Sequence, residues 1–224
     1  MSRAAVTGSG LAFTAGYVDT VGFITLFGLF TAHVTGNFVL IGSELAHPTD
    51  GVLLKLLAFP AFIAAVAASR LLALAAERRG RSAARPLLQL QIALLAACML
   101  CGWRARPLVD PGASLVLLAG ALGAAAMGVQ NASSRLAYGE LSPTTVMTGN
   151  VTQLVLGVVD LMRGAADSAT RDRIGKLFWP VVAFACGAIS GALACRRIEL
   201  WALALPLAVL SALALASPTQ RAEI

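Results

Sequence analysis

Long apolar stretches, separated by short polar segments, make up most of the chain. About 20 apolar residues are enough to cross a bilayer as a helix, and most of these stretches approach that length. Because only helices satisfy every backbone group in lipid without a closed barrel, the pattern predicts an all-α membrane fold. Eight helical elements are expected, at residues 11–30, 35–46, 52–76, 86–103, 113–132, 144–161, 177–195 and 200–216.

The second half of the chain repeats motifs of the first half in the same order. The matched segments are Gly16-Tyr17-Val18-Asp19 with Gly128-Val129-Gln130-Asn131, Thr35-Gly36-Asn37 with Thr148-Gly149-Asn150, and Lys55 to Pro60 with Lys176 to Pro180. We predict one membrane domain over 1–224, built from two fused repeats at about 8–103 and 112–216. Parallel and inverted repeats both fit the pattern. Pro60 and Pro180 are expected to kink or to start the same helix in each half.

Composition supports the membrane assignment. The chain of 224 residues is 58% hydrophobic and only 12% charged, and its mean hydropathy is +0.80. A soluble domain carries roughly 25% charged residues. The net charge of +6 comes from arginines between apolar spans, without interleaved aromatic residues. The lipid bilayer is therefore the expected partner, and nucleic acid is not.

The basic segments do not fix the orientation in the membrane. The 78–85 segment and the pair Arg196-Arg197 hold equivalent places in the two halves. If both face the cytoplasm, the basic segment 163–176 is forced to the other side. The sequence leaves this conflict open.

Three ionisable residues of the first half are candidates for a solute or ion site. A carboxylate at membrane depth costs about 2.5 kcal/mol or more, so Asp19 is expected to face a cavity or a partner. His33 titrates near neutral pH. Arg70 is predicted to pair with Asp19 or Glu44, or to reach the membrane surface. The alternative for Asp19 is a hydrogen bond between helices.

The repeated Thr-Gly-Asn motif has two interpretations. In one, Thr35 caps a helix start, Gly36 permits close approach, and Asn37 meets a ligand near free helix amides. In the other, the motif only packs and caps two tight hairpins. The same alternatives hold for Thr148, Gly149 and Asn150. Gln130 and Asn131 complete a more neutral set in the second half.

The chemistry of enzymes is poorly represented. We find no phosphate-binding glycine-rich motif with Lys-Ser/Thr and no His-Glu-x-x-His motif. Cys98 and Cys101 have redox-like spacing but lie among Leu and Ala, which is typical of packing residues. The expectation is a protein that is not an enzyme and that has neither cofactor nor metal.

The paired motifs resemble those of the YoaK family, on Gly16 to Asp19, Ala32 to Asn37, Gly128 to Asn131 and Met147 to Asn150. The resemblance covers nearly the whole chain. It implies a multi-pass protein of the bacterial cytoplasmic (inner) membrane with about six spans, the remaining elements being short or broken helices. It implies no established activity and supplies no site residues.

Duplication together with polar residues at membrane depth favours a small secondary transporter, permease-like, for an unidentified small polar solute. Asp19, helped by Arg70 or His33, would couple transport to a proton or cation. Asn37, Gln130, Asn131 and Asn150 would contact the solute near the repeat interface. The alternative is a non-transporting membrane interaction or assembly module, which would use small-residue faces such as Gly187, Ser190 and Gly191. The chain length is also compatible with a homodimer.

Overall fold

The structure is a computed structural model that describes residues 3–47 and 51–217. Within them the fold is all-helical, and the predicted order of eight helical elements is confirmed. The helices are α1 Arg3–Thr25, α2 Gly36–Ala46, α3 Val52–Glu77, α4 Ala84–Arg104, α5 Ser114–Leu136, α6 Met147–Met162, α7 Ser168–Ile198 and α8 Ala204–Ala216, with a 3-10 turn Glu199–Leu203 before α8.

Helix α7 begins nine residues earlier than its apolar stretch, because a polar cap rather than hydropathy sets its start. The Asp167 side chain accepts a hydrogen bond from the Thr170 backbone N–H at 2.7 Å, and Ser168 opens the helix. The hydrogen bonds from Thr170 also lower the pKa of Asp167, since they favour the ionised carboxylate. Pro60 and Pro180 lie inside α3 and α7, so neither starts a helix.

In the described part of the chain, four helical stretches are long and apolar enough to cross a membrane: Val52–Glu77, Ala84–Arg104, Ser114–Leu136 and the continuous stretch Ser168–Ala216. The last has 49 residues, which is about twice the length that a bilayer requires. It reverses direction near Glu199, whose backbone φ is 48°. It therefore forms two segments, α7 and α8, which run in opposite directions along the fold.

The helices of the two halves interlock. Helix α1 packs on α7, and α5 packs on α3. In both pairs, the residue numbers of the two helices increase in the same direction, so the helices of each pair are parallel. The contacts are Gly8 with Pro180 and Tyr17 with Gly191 in the first pair, and Leu54 with Gly120 and Phe62 with Gly128 in the second.

Helices α1 and α5 run in opposite directions. Gln130 bonds to Leu11, near the start of α1, whereas Gly123 lies against Thr31, which is bound to Asp19 near the end of α1. Helix α4 is antiparallel to α5, since Gln91 bonds to Gln130 and Cys98 lies against Gly123. The segment of α8 is antiparallel to α4. Thus α1, α4 and α7 point one way, and α3, α5 and α8 point the other way.

This arrangement removes the conflict over the basic segments. The start of α1, the α3–α4 connection, the α6–α7 connection and the end of α8 all lie at one end of the fold, which we call the basic end. The 78–85 and 163–176 segments share it, and Arg196-Arg197 lies at the opposite end with the close of α4. Equivalent places in the two halves are therefore on opposite sides.

Glycines allow the close approach of α1 and α7. A Cβ on Gly16 would collide with the Phe184 carbonyl oxygen, and a Cβ on Gly187 would collide with the Phe13 carbonyl oxygen. Small residues of this kind let membrane helices pack backbone to backbone. The contact between α1 and α7 at these two glycines is buried within the chain.

Gly187→Ala is expected to force α1 and α7 apart and to lower stability by about 1–3 kcal/mol, the usual cost of overpacking. Gly175→Ala, on the same helix but with open space around its Cβ, is the matched control. It should be neutral or stabilising by up to about 1 kcal/mol, because alanine favours helix. Thermal unfolding in detergent measures both. Equal melting temperatures for the two variants would contradict the close packing described above.

Candidate functional site

A turn after α1 brings the chain back along that helix. Phe27 and Gly28 adopt left-handed backbone conformations, with φ of 53° and 76°. The following residues then pass beside Asp19 before α2 begins. The first half of the chain therefore begins with a helix, a fold-back loop and a short second helix.

Asp19 anchors this fold-back loop. The Asp19 side chain is 7% exposed. Oδ1 accepts hydrogen bonds from the backbone N–H groups of Thr31 and Ala32, both at 2.7 Å. Oδ2 lies 2.6 Å from Nδ1 of His33. The predicted pairing of Asp19 with Arg70 is therefore wrong, because loop amides and an imidazole occupy the carboxylate.

His33 is the partly accessible member of this pair, which we call the Asp19–His33 pair. Its side chain is 36% exposed. The ring edges of Phe30 and Phe184 flank it, with centroid distances of 6.2 and 5.8 Å. An imidazole and a carboxylate in contact can share one proton. Glu44 and Lys55, which follow in the chain, bind each other.

The asparagine of each repeated motif closes its loop. Asn37 is fully buried, and its side chain exchanges two hydrogen bonds with the backbone of Phe30, at 2.9 and 2.8 Å. Asn150 donates to the carbonyl of Pro143 at 2.7 Å. Proline has no N–H, so only one of the two bonds can form there. The asparagines thus have the same structural role in both halves.

The threonines and glycines of the motif do not expose free amides in the first half. The amides of Gly36, Asn37 and Phe38 donate to loop carbonyls three residues earlier. Thr35 precedes α2, but its side chain makes no capping bond, so the predicted cap is wrong. In the second half the helix begins two residues earlier relative to the motif, at Met147, so Thr148 and Gly149 lie inside its first turn.

A second polar network links α4, α5 and the second fold-back loop. Gln91 Nε2 donates to Gln130 Oε1 at 2.7 Å. Gln130 Nε2 donates to the Leu11 carbonyl at 2.7 Å and to Thr144 Oγ1 at 3.0 Å. Beside them, Asn131 donates to Thr145 Oγ1 at 2.7 Å. We call Gln91, Gln130, Thr144 and the Leu11 carbonyl the glutamine network.

The structure therefore divides the predicted site residues into separate groups. Asp19, His33 and Asn37 hold the first loop, whereas Gln130, Asn131 and Asn150 hold the second. Asp19 follows Leu11 by eight residues, which places the groups about 12 Å apart along α1. Arg70 belongs to neither group, since it pairs with Glu77 at 3.3 Å on a surface where both side chains are 52% exposed.

Sequence reasoning missed Lys55, Gln91, Thr144 and Thr145 as polar partners. Lys55 is 1% exposed and pairs with Glu44 at 2.6 Å, which also excludes the predicted Glu44–Arg70 pair. The sequence feature that could have indicated this role is the position of Lys55 in the segment from Lys55 to Pro60, which is repeated in the second half. Gln91 is one of two glutamines in the apolar α4, and its burial distinguishes it from the exposed Gln89. The two threonines lie shortly before the second motif.

An open cavity of about 680 Å³ lies at the basic end, between the ends of α1, α4, α5 and α8. Arg3, Arg81, Glu77 and Glu140 supply charges of both signs around it. A smaller cavity of about 320 Å³ adjoins it, and the two share Ala4, Glu140 and Leu141. Tyr138 lines the larger cavity, and burial raises its pKa, so the phenol stays protonated at neutral pH.

Within residues 3–47 and 51–217, no three His, Cys, Asp or Glu side chains come together as ligands for a metal ion. The helices, their apolar surfaces and the buried polar loops define an all-helical polytopic membrane protein. The chain belongs to the family described as Protein of unknown function (DUF1275), whose model matches residues 7–216. The expected membership of an uncharacterised family is thereby confirmed. No curated protein matches the chain, and no solved structure matches it.

Proposed function

We propose that the protein is a small secondary transporter of the bacterial cytoplasmic membrane, built from two inverted repeats that carry a small polar solute. The support is geometric. Helices that hold corresponding places, α1 and α5, run in opposite directions. Each is followed by a loop that returns along it and by a short helix. Many carriers have inverted repeats with broken segments of this kind.

The Asp19–His33 pair is the observation that carries the proposal. A proton-coupled carrier needs a titratable group attached to a part of the protein that can move. Oδ1 of Asp19 holds two backbone amides of the first loop, and Oδ2 holds His33. Protonation would weaken the carboxylate as an acceptor and would loosen the loop. The second repeat has Asn131 and Val146 at these places, so only the first repeat would respond to a proton.

The position of the cavity indicates the direction of access. The larger cavity opens at the basic end, where most arginines lie, and an excess of arginine marks the cytoplasmic side. At the opposite end, the Glu44–Lys55 ion pair links α2 to α3. In this proposal, the cavity at the basic end supports access to the carrier from the cytoplasm.

The small-residue face suggested for the interaction-module alternative is largely occupied within the chain. Gly187 and Gly191 face the backbone of α1 within the chain. The Ser190 hydroxyl donates to the carbonyls of Cys186 and Gly187 in its own helix. These residues do not form a free docking face.

Uptake by proteoliposomes tests the proposal. Acetamide, glycerol, glycine and lactate are offered as solutes under an inward proton gradient. A pH dye trapped inside the vesicles reports proton entry. Thiol labelling of Ser82→Cys determines the orientation of the protein in the membrane. We expect one solute class to be taken up together with protons, and Asp19→Asn to reduce that coupled flux at least about tenfold. Asn keeps an acceptor for the loop amides but not the charge.

Asp160→Asn, on an exposed part of α6, is the matched control and should transport normally. Full proton-coupled uptake by Asp19→Asn would refute the coupling role. No protein-dependent flux of any solute in either direction would refute transport.

A further inference from the structure

Corresponding positions of the two halves lie at opposite ends of the fold. The segments that begin at Gly16 and Gly128 are 112 residues apart, and Pro60 and Pro180 are 120 residues apart. Because α1 and α5 run in opposite directions, these spacings relate the basic end to the other end. Four residues that line the larger cavity thereby have counterparts at the other end: Ala4 with Val116, Thr7 with Ala119, Tyr138 with Leu26, and Ser82 with Ala202.

The two sets of residues differ in burial. None of the four that line the cavity at the basic end is buried. All four counterparts at the other end are at most 1% exposed, and they belong to one contiguous cluster of buried apolar side chains that also includes Leu203. The place that is open at one end is therefore filled at the other. We call Leu26, Val116, Ala119, Ala202 and Leu203 the apolar plug.

Contacts at the surface close the same end. Arg106 Nε lies 2.9 Å from Glu199 Oε2, which joins the connection after α4 to the turn before α8. The rings of Trp103 and Trp201 meet edge to face beside this turn, with centroids 6.0 Å apart. Both members of the ion pair are about half exposed, so water can replace each partner at little cost. The plug is thus covered by contacts that can separate without leaving a buried charge.

In carriers built from inverted repeats, one repeat rocks against the other and gives access to the two sides of the membrane in turn. We propose that the apolar plug is the closed gate of the carrier at the end opposite the basic end, and that it opens as the larger cavity closes. The counterparts of the cavity-lining residues then line the open entrance. This inference rests on the proposed function, since it describes how that carrier reaches the second side of the membrane.

Thiol labelling of the purified protein in detergent tests the gate without any transport. Ala202→Cys places a small thiol in the plug, and Ala73→Cys places one at a fully buried position elsewhere in the core. Mass spectrometry of maleimide-labelled peptides separates these thiols from the four native cysteines. We expect Ala202→Cys to be labelled at least about tenfold faster, because the gate opens in the folded protein whereas Ala73 is exposed only on unfolding. If Ala202→Cys does not fold, Val116→Cys takes its place.

The surface ion pair provides a second measurement. Arg106→Gln breaks the pair with Glu199 and should speed labelling at residue 202 about twofold to fivefold, the effect expected of one exposed ion pair. Arg70→Gln removes a similarly exposed pair, with Glu77, and should leave that rate unchanged. Equal rates in the two variants would mean that the Arg106–Glu199 pair does not hold the gate closed.

A bulky adduct tests whether the two ends are linked. A biotin maleimide attached to Ser82→Cys occupies the larger cavity and prevents its closure, so it should slow the later labelling of Ala202→Cys at least about tenfold. The same adduct on Ser168→Cys should have no effect, because this exposed serine at the start of α7 lies outside the linings of both cavities. Equal labelling of Ala202→Cys and Ala73→Cys, or a rate at residue 202 that the Ser82→Cys adduct leaves unchanged, would overturn the gate.

The two proposals fail in different ways. Linked labelling of the two ends, without protein-dependent flux in proteoliposomes, supports the gate and refutes the carrier. Proton-coupled flux in a protein whose plug is never labelled supports the carrier and refutes this gate.

Discussion

Lys55→Met is expected to destabilise the protein by about 3–5 kcal/mol, because removal of one member of a buried ion pair leaves the other charge unpaired. Lys55 Nζ donates to Glu44 Oε1 at 2.6 Å and to the Phe27 carbonyl at 2.7 Å. It thus joins the turn after α1, the end of α2 and the start of α3. Without Lys55, the Glu44 carboxylate loses its ion-pair partner at Oε1. Its other oxygen, Oε2, is buried without a hydrogen-bond partner even in the parent protein. The melting temperature in detergent is the measurement.

A double variant separates charge from packing. Glu44→Gln combined with Lys55→Met removes both charges and should be more stable than Lys55→Met alone. Lys176→Met changes an exposed lysine and should have little effect. If Lys55→Met unfolds at the temperature of the parent, the ion pair does not contribute to stability. If the double variant is no better than the single variant, packing rather than charge explains the loss.

Asp19→Ala is expected to cost about 2–4 kcal/mol, since it leaves the Thr31 and Ala32 amides without acceptors in a buried place. Both donate to Oδ1 at 2.7 Å. Asp19→Asn should cost less, because its side-chain oxygen can still accept from these amides. Thermal unfolding of the two variants gives the order, and hydrogen exchange of residues 29–35 locates the effect.

Asp160→Ala is the control for the loss of an acidic side chain from an exposed position, and it should be close to neutral. Faster exchange confined to the 29–35 segment would identify Asp19 as the anchor of that loop. If Asp19→Ala and Asp160→Ala unfold at the same temperature, the loop does not depend on the carboxylate.

The two halves use one loop design with different chemistry. Asn37 and Asn150 both bind the carbonyl seven residues earlier. Asp19 has a carboxyl group and a histidine partner, whereas Asn131 has an amide and Thr145. In the proposed carrier this difference confines the response to protons to one repeat.

The sequence alone determined the all-helical membrane fold and the order of its eight helical elements. Local properties are sufficient for this, because apolar length and the need to satisfy backbone groups in lipid leave few alternatives. It also identified Asp19 as a buried polar residue that needs partners. Start points were less predictable, since α7 begins at a polar cap, Asp167, ahead of its apolar stretch.

Tertiary structure alone decided which residues meet. The sequence paired Arg70 with Asp19 or Glu44, but Asp19 meets His33 and Glu44 meets Lys55, because the chain turns back after Phe27. It also offered Gln130 as a contact for the solute whose transport Asp19 would couple to an ion, whereas opposite helix directions put Gln130 and Asp19 about 12 Å apart along α1. Direction and depth arise from long-range packing of α1 on α7 and α5 on α3, and a local pattern of residues does not encode them.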